Sequence, residues 1–260
     1  VNCVGILAPE GKNTFRSVQA EGAARVARLA AENGVERFVQ ISAIGADAKS
    51  DSDYARTKAE GEAAVLEHMP RAVILRPSIV FGPEDQFFNR FAGMARLGPV
   101  LPVVGARTRF QPVYVDDVAA AAMKGVEGAA EPGIYELGGP DVDTFRELME
   151  IMLEVIQRRR WIVNVPFWAA KPMGWGFDLL GRLSLGLIKG PLTLDQVRNL
   201  ARDNVVSGSV KTFEDLGIRP VSMEGVLPDY LWRFRPSGQY AASKASAKHL
   251  KGGKRAGFDG

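Results

Sequence analysis

One pattern constrains the fold before anything else. Nearly all-apolar runs of strand length alternate with runs of helical period, and the links between them are short. "VNCVGILAPE" reads as an apolar strand that stops at Gly5 and Pro9. "TFRSVQAEGAARVARLAAENGV" follows as a helix, with Val18, Ala23, Val26, Ala27 and Ala30 on one face and Gly34 at its end. "RFVQISAIGA" and "RAVILRPSIVFGP" are buried strands on either side of the helix that runs from Ser52 to Met69. Strand, helix, strand, helix, strand with short connections predicts parallel βαβ units with helices on the sheet faces.

The pattern continues with "FQPVYVDDVAAAAMKGVEG", a strand end that enters a helix with Asp116 or Asp117 as its N-cap. "GIYELGG" is a further short strand, and "DTFRELMEIMLEVIQRRR" an amphipathic helix opened by Asp143 or Thr144. From Trp161 to Ile188 the chain is more apolar than a surface loop, and Pro166, Pro172 and several glycines divide it. Two readings of this segment stay open: core of a small second lobe, or a face that docks on a membrane surface or a partner.

Composition excludes several classes. No run of eighteen apolar residues exists, and no signal peptide opens the chain. One cysteine, Cys3, forms no internal disulfide, and with only His68 and His249 beside it no Cys/His zinc site is expected. The net charge of +3 is concentrated in the C-terminal residues. From Pro236 onward Lys244, Lys248, Lys251, Lys254 and Arg255 stand against Asp259 alone, while the remainder carries 28 basic and 29 acidic residues. Residues 236–260 are expected to form a disordered basic tail, either solvated or touching an anionic surface. No nucleic-acid-binding motif is present.

Tyr54 and Lys58 lie four apart at the start of the Ser52–Met69 helix, so phenol and ammonium share one face. An ammonium at about 4 Å, in an effective dielectric of about 20, favours phenolate by up to ~4 kcal/mol. It is expected to bring the tyrosine, with an ordinary pKa near ~10, toward the range of proton transfer. Five tyrosines and eleven lysines predict roughly 0.2 such pairs by chance, yet there are two. Tyr240 and Lys244 lie in the tail with no strands around them, and are coincidence.

In this order, "RFVQISAIGA", "YARTK", "LRPSIVFGP" and "PVYVDDVA" resemble the extended short-chain dehydrogenase/reductase superfamily. "YARTKAEGE", "RPSIVFGPEDQFFNRFA", "RLGPVLPV", "QPVYVDDVA" and "EDLGIRP" resemble, more narrowly, the nucleotide-binding accessory subunit of respiratory complex I and its bacterial relatives. The likeness covers most of residues 1–235. It implies an α/β fold: a Rossmann-type parallel sheet flanked by helices, N-terminally truncated, with a small C-terminal α/β lobe. Residues 1–137 would be the cofactor domain, with 83–111 inserted toward the second lobe, and 138–235 the small lobe. The cofactor implied is NADP(H) in preference to NAD(H). Cys3, Val4, Gly5 and Ile6 would fall at a cofactor-contacting turn and Ser42 near the nicotinamide ribose. Tyr54 and Lys58 match the superfamily's tyrosine and lysine. Pro77 and Ser78 match the segment passing the nicotinamide.

Two departures stand out. No G-x-x-G-x-x-G loop follows an opening strand, so the first three strands of the fold are expected to be absent, with most of the diphosphate and adenine site. Active members also place a Ser or Thr after the fifth strand to polarise a carbonyl, and here the pair reads Ser42–Ala43, with Ala43 at the acting position. The resemblance then implies cofactor binding without turnover, as a subunit of NADH:quinone oxidoreductase beside an energy-transducing membrane. The alternative is an active reductase, epimerase or dehydratase in which Tyr54, Lys58 and Ser42 act. For a substrate anion the candidates are Arg90, Arg107 and Arg109, unless they are solvated surface arginines.

Overall fold

The computed structural model describes residues 1–172, 175, 176, 193–236 and 238. The Leu-rich part of the apolar segment from residue 177 and the basic tail beyond residue 238 lie outside these residues. In chain order, a π-helical turn (Arg16–Ala20) leads into α1 (Glu21–Glu32), β1 (Val39–Ile41), α2 (Asp53–His68), β2 (Val73–Pro77) and β3 (Val80–Phe81). Then come α3 (Phe88–Leu97), β4 (Val100–Val104), β5 (Arg109–Phe110), β6 (Val113–Tyr114), α4 (Val115–Glu127) and β7 (Gly133–Leu137). The remainder holds β8 (Asp143–Thr144), α5 (Phe145–Val155), β9 (Trp161–Val165), α6 (Leu194–Asn199) and α7 (Met223–Leu231).

The expected βαβ logic is realised. β1, β2 and β7 form a parallel sheet in that order, with Ile41 opposite Leu75 and Arg76 opposite Glu136. Asn2 extends it on the β1 side: its N–H donates to Val39 O at 2.8 Å and its carbonyl accepts from Ile41 N at 3.0 Å. The strand expected over residues 1–7 is reduced to this one pairing. Val1, Val4 and Leu7 are exposed, because among the described residues no further strand lies against them.

The helices cover both faces. Ala23 and Ala27 of α1 pack with Val65 of α2, Phe38 and Met69. Val26 was expected on that buried face but is exposed, because at about 100° per residue it lies at the edge of the face that Ala23 and Ala27 centre. α2 and the π-helical turn approach closely at Gly61, where a Cβ would stand 2.2 Å from Gln19 O. On the other face α4 lies so near the sheet that a Cβ on Gly125 would meet Val39 Cγ2 at 2.6 Å.

Neither Asp116 nor Asp117 caps α4. Tyr114, in extended conformation, is the N-cap, and the Asp117 carboxylate instead accepts from Val221 N at 2.8 Å, which ties down the approach to α7. At α5 the expectation holds: Thr144 caps, in a reciprocal box with Glu147.

A separate apolar cluster joins α3, β4, α5 and α7. Phe87, Phe88, Phe91, Phe110 and Phe145 pack there edge to face or tilted, with ring centroids 5.1–6.3 Å apart. Of the segment starting at Trp161, Ile162 packs against this cluster and Ala170 is buried, whereas Trp161, Trp168 and Trp175 are exposed. Among the described residues no helix is long and apolar enough to cross a membrane.

Candidate functional site

The site sits on α2 where that helix leaves β1. Ser52 caps the helix, its hydroxyl accepting from Ala55 N. Residues 54, 58 and 62 then recur at four-residue spacing and face the sheet. Tyr54 packs edge to face on Phe15, with centroids 5.8 Å apart. Lys58 Nζ lies 5.9 Å from the Tyr54 ring centroid.

The electrostatics reverse the expectation. Burial pushes the Tyr54 phenol up to about 12. Burial also pushes the Lys58 ammonium down, and the nearby Glu62 carboxylate opposes this only in part. Desolvation disfavours the charged form of both groups, so it outweighs their mutual attraction. The protein without ligand holds a neutral phenol beside a weakened ammonium.

Lys58 is only 8% exposed, yet among the described residues its ammonium makes a single long hydrogen bond, to Ile41 O at 3.4 Å. Three donors with one weak acceptor leave it under-bonded. The Tyr54 hydroxyl has no hydrogen-bond partner among the described residues. Gly5 passes directly over the ammonium: a Cβ there would come within 3.2 Å of Nζ. Ile6 is held by its carbonyl, which accepts from Gln19 Nε2 at 2.8 Å, and Gln19 in turn accepts from Thr57 on α2. Cys3 and Val4 are exposed beside them. Fold and sequence thus bring Gly5, Ile6, Tyr54 and Lys58 to one place.

Ser42 is committed elsewhere. It is buried, and its hydroxyl donates to the Glu62 carboxylate. Arg76 of β2 grips the same carboxylate with two hydrogen bonds, at 2.8 and 2.5 Å, and reaches Glu136 of β7 at 3.9 Å. Those hydrogen bonds hold the Arg76 guanidinium above its ordinary pKa. A buried charge row thus crosses the sheet at the C-terminal ends of its strands, and Ser42 is part of it.

Pro77 and Ser78 close the far side. Ser78 Oγ donates to Asn204, at 2.6 Å to Oδ1 and 3.0 Å to the carbonyl. Asn204 belongs to a stretch that sequence reasoning missed. From α6 onward this stretch clamps the loop before α2: Asp195 accepts from Ser52 Oγ at 3.0 Å and Asp53 N at 2.7 Å. Arg198 donates to Asp51 O, and Arg202 pairs with Asp51 at 3.0 Å. These contacts span more than 140 residues and carry no periodic signal. Glu62 and Arg76 were legible in principle, one four residues beyond Lys58 and the other a charge inside an apolar strand.

The arginines proposed for an anion do not converge as a free set. Arg109 pairs with Asp203 at 2.8 Å, which pulls that carboxyl below its usual range through hydrogen bonds from Arg109. Arg107 is exposed, and Arg90 has partners of its own. Among the described residues no group of acidic, histidine or cysteine side chains is arranged to hold a metal.

Comparison with known proteins matches these features. The RmlD substrate binding domain family matches residues 8–160. The Arabidopsis thaliana protein "NADH dehydrogenase [ubiquinone] 1 alpha subcomplex subunit 9, mitochondrial" is 35% identical over 95% of this chain and 63% of its own length. The Neurospora crassa "NADH-ubiquinone oxidoreductase 40 kDa subunit, mitochondrial" is 31% identical over 96% of this chain and 64% of its own. The chain therefore spans rather less than two thirds of these relatives. Among solved structures, the UDP-glucose 4-epimerase of Thermus thermophilus in complex with NAD superposes with a TM-score of 0.58 at 19% identity, covering 86% of this chain and 71% of that one. That likeness is one of fold. By its motifs, its parallel sheet and the domain match, this chain belongs to the RmlD substrate binding domain family, within the extended short-chain dehydrogenase/reductase superfamily.

Proposed function

We propose that this chain is the nicotinamide-side portion of a nucleotide-binding accessory subunit of NADH:quinone oxidoreductase, which holds NADP(H) without turning over a substrate. One observation carries the reading. Lys58 is buried and under-bonded beside the unengaged Tyr54 hydroxyl, while the Ser42 hydroxyl is taken by Glu62 and Ala43 offers none. Such donors fit ribose hydroxyls, and a bound dinucleotide would supply any redox chemistry.

Lys58 and Tyr54 would grip the ribose. The turn of Cys3, Val4, Gly5 and Ile6 would lie along the cofactor, and Pro77 and Ser78 would pass the nicotinamide. Residues 1–137 form the cofactor lobe in this reading and 138–235 the small lobe. Complex I partners are inferred from the printed names of the relatives. In this reading the protein would lie beside an energy-transducing membrane, on the cytoplasmic side in a bacterium or the matrix side in a mitochondrion. The lean to NADP(H) over NAD(H) comes from the family resemblance.

The test is made on the full-length protein, tagged in its own cell. It should migrate with NADH:quinone oxidoreductase activity at high mass on a native gel, and Lys58→Met should lose NADP(H) while Tyr54→Phe largely retains it. Migration only as a small soluble species would sink the reading. The intact Tyr54–Lys58 pair favours a second one, a reductase, epimerase or dehydratase on a sugar or lipid-like substrate. There Tyr54→Phe should abolish NADPH-dependent turnover.

A further inference from the structure

β4 and β9 pair in parallel, with Val100 opposite Trp161 and Pro102 opposite Val163. Successive residues of a strand point to opposite faces, and a parallel sheet is normally covered on both, so a face left open to water should carry polar residues. The covered side obeys the rule: Leu101 and Val103 are buried in the apolar cluster, and Ile162 packs against it. The open side breaks it. Val100, Pro102, Trp161 and Val163 stand in register there, with Trp161 75% and Val163 46% exposed. Leu97, one turn of chain before β4, is 90% exposed.

Because the strands are parallel, the residues entering them also lie side by side. Trp161 N donates to Pro99 O at 2.9 Å, and Arg160 Nε to Ala95 O at 2.7 Å. This brings Arg96 next to Arg158, Arg159 and Arg160. Arg158 is pushed below its ordinary pKa, first by partial burial and then by Arg160 and Arg96, in keeping with the crowding. Among the described residues none of the four forms an ion pair, and their hydrogen bonds go to backbone carbonyls. Nearby acids do not neutralise them: Glu150 is engaged by Arg146, which leaves Glu154.

We propose that this face docks on an anionic phospholipid surface, with Trp161, Val163 and Val100 entering the headgroup region and the arginine rim meeting lipid phosphates. Charge complementarity selects the occupant. Four crowded guanidiniums with Glu154 left among them as a nearby carboxylate carry an excess of positive charge, which calls for phosphates that can rearrange around them. A tryptophan at the margin of an apolar strip is suited to the headgroup level. Neither the apolar strip nor the rim would hold a membrane alone, so both are required.

The test is flotation of the full-length chain with phosphatidylcholine vesicles, with and without phosphatidylglycerol, at low and high salt. Binding should need phosphatidylglycerol and weaken with salt. Trp161→Ser combined with Val163→Ser should weaken partition about tenfold or more. Arg159→Glu should weaken it more than about fivefold, the value of one basic residue near such a surface. All three positions are exposed, so the melting temperature should not move. The basic tail is present throughout. If the tail alone held the vesicles, the Trp161/Val163 variant would float like the parent, and that result overturns the proposal. So does equal binding to pure phosphatidylcholine. Absence of flotation with capture of a protein on the same face would assign the face to a protein and equally overturn it.

Discussion

Gly61→Ala should destabilise the protein, although alanine is the better helix former. Gly61 is inside α2, where exchanging Gly for Ala normally gains about 1 kcal/mol. Here the new Cβ would stand 2.2 Å from Gln19 O and 3.3 Å from Gln19 C. Real Cβ atoms keep at least 3.0 Å, so α2 and the π-helical turn must part by most of an ångström. The obstacle is backbone and has no rotamer to yield. Overpacking of this kind costs typically ~1–3 kcal/mol, and a backbone overlap this deep stands at the upper end, so after the helix gain the net effect is a loss of about 2 kcal/mol. For a chain of this length that is a fall of roughly 4–8 °C in Tm. Gln19 also holds Ile6 and Thr57, so the shift should reach the Lys58 site and weaken dinucleotide binding in parallel. The control is Gly22→Ala, whose Cβ meets Ser17 O at an ordinary 3.4 Å and should leave stability equal or higher. Urea unfolding of both variants decides. A Gly61→Ala protein as stable as its parent would refute the close approach on which this packing argument rests.

Glu62→Leu and Arg76→Met should each cost about 3–5 kcal/mol, the latter more because it leaves both Glu62 and Glu136 without their cation, while the double variant should cost less than their sum; additive losses in a urea double-mutant cycle would remove the pair from the account. Tyr54→Phe should flatten part of the alkaline stability profile. A phenol near 10 when unfolded and about 12 when folded keeps its proton in the native state alone across that interval, so stability falls as pH rises through it, by up to about 2–3 kcal/mol, and the phenylalanine variant should lack this fall. Asp195→Ala should cost about 1–2 kcal/mol and speed hydrogen exchange at residues 53–55, since it removes acceptors from the start of α2; unchanged exchange there would show that Ser52 caps the helix unaided.

What the sequence made legible was whatever rests on local period. The apolar runs found β1, β2 and β7, Ser52 and Met69 bounded α2 closely, and Thr144 capped α5. It failed where backbone geometry decides, as at α4, where Tyr114 turns the corner before either aspartate is reached. It also failed at long range. Nothing in "LTLDQVRNLARDN" indicates that Asp195, Arg202 and Asn204 close over a loop far earlier in the chain, because a polar residue without periodicity carries no address. Arg76 is the exception that was readable, since a charge in a buried strand must find a counter-charge.

The Tyr54–Lys58 pair shows why spacing alone misleads about chemistry. A pairwise Coulomb estimate takes both groups as charged and asks how strongly they attract. In the fold both are drawn out of water, and desolvation drives each toward its neutral form. The only carboxylate close enough to support the ammonium, among the described residues, is Glu62, and it is already shared by Arg76 and Ser42. A phenol this reluctant to ionise is a poor base, but it is an intact hydroxyl donor. An ammonium short of acceptors gains most from a ligand that brings hydroxyl oxygens and negative charge. The same physics that weakens the pair for proton transfer therefore equips it to retain a dinucleotide.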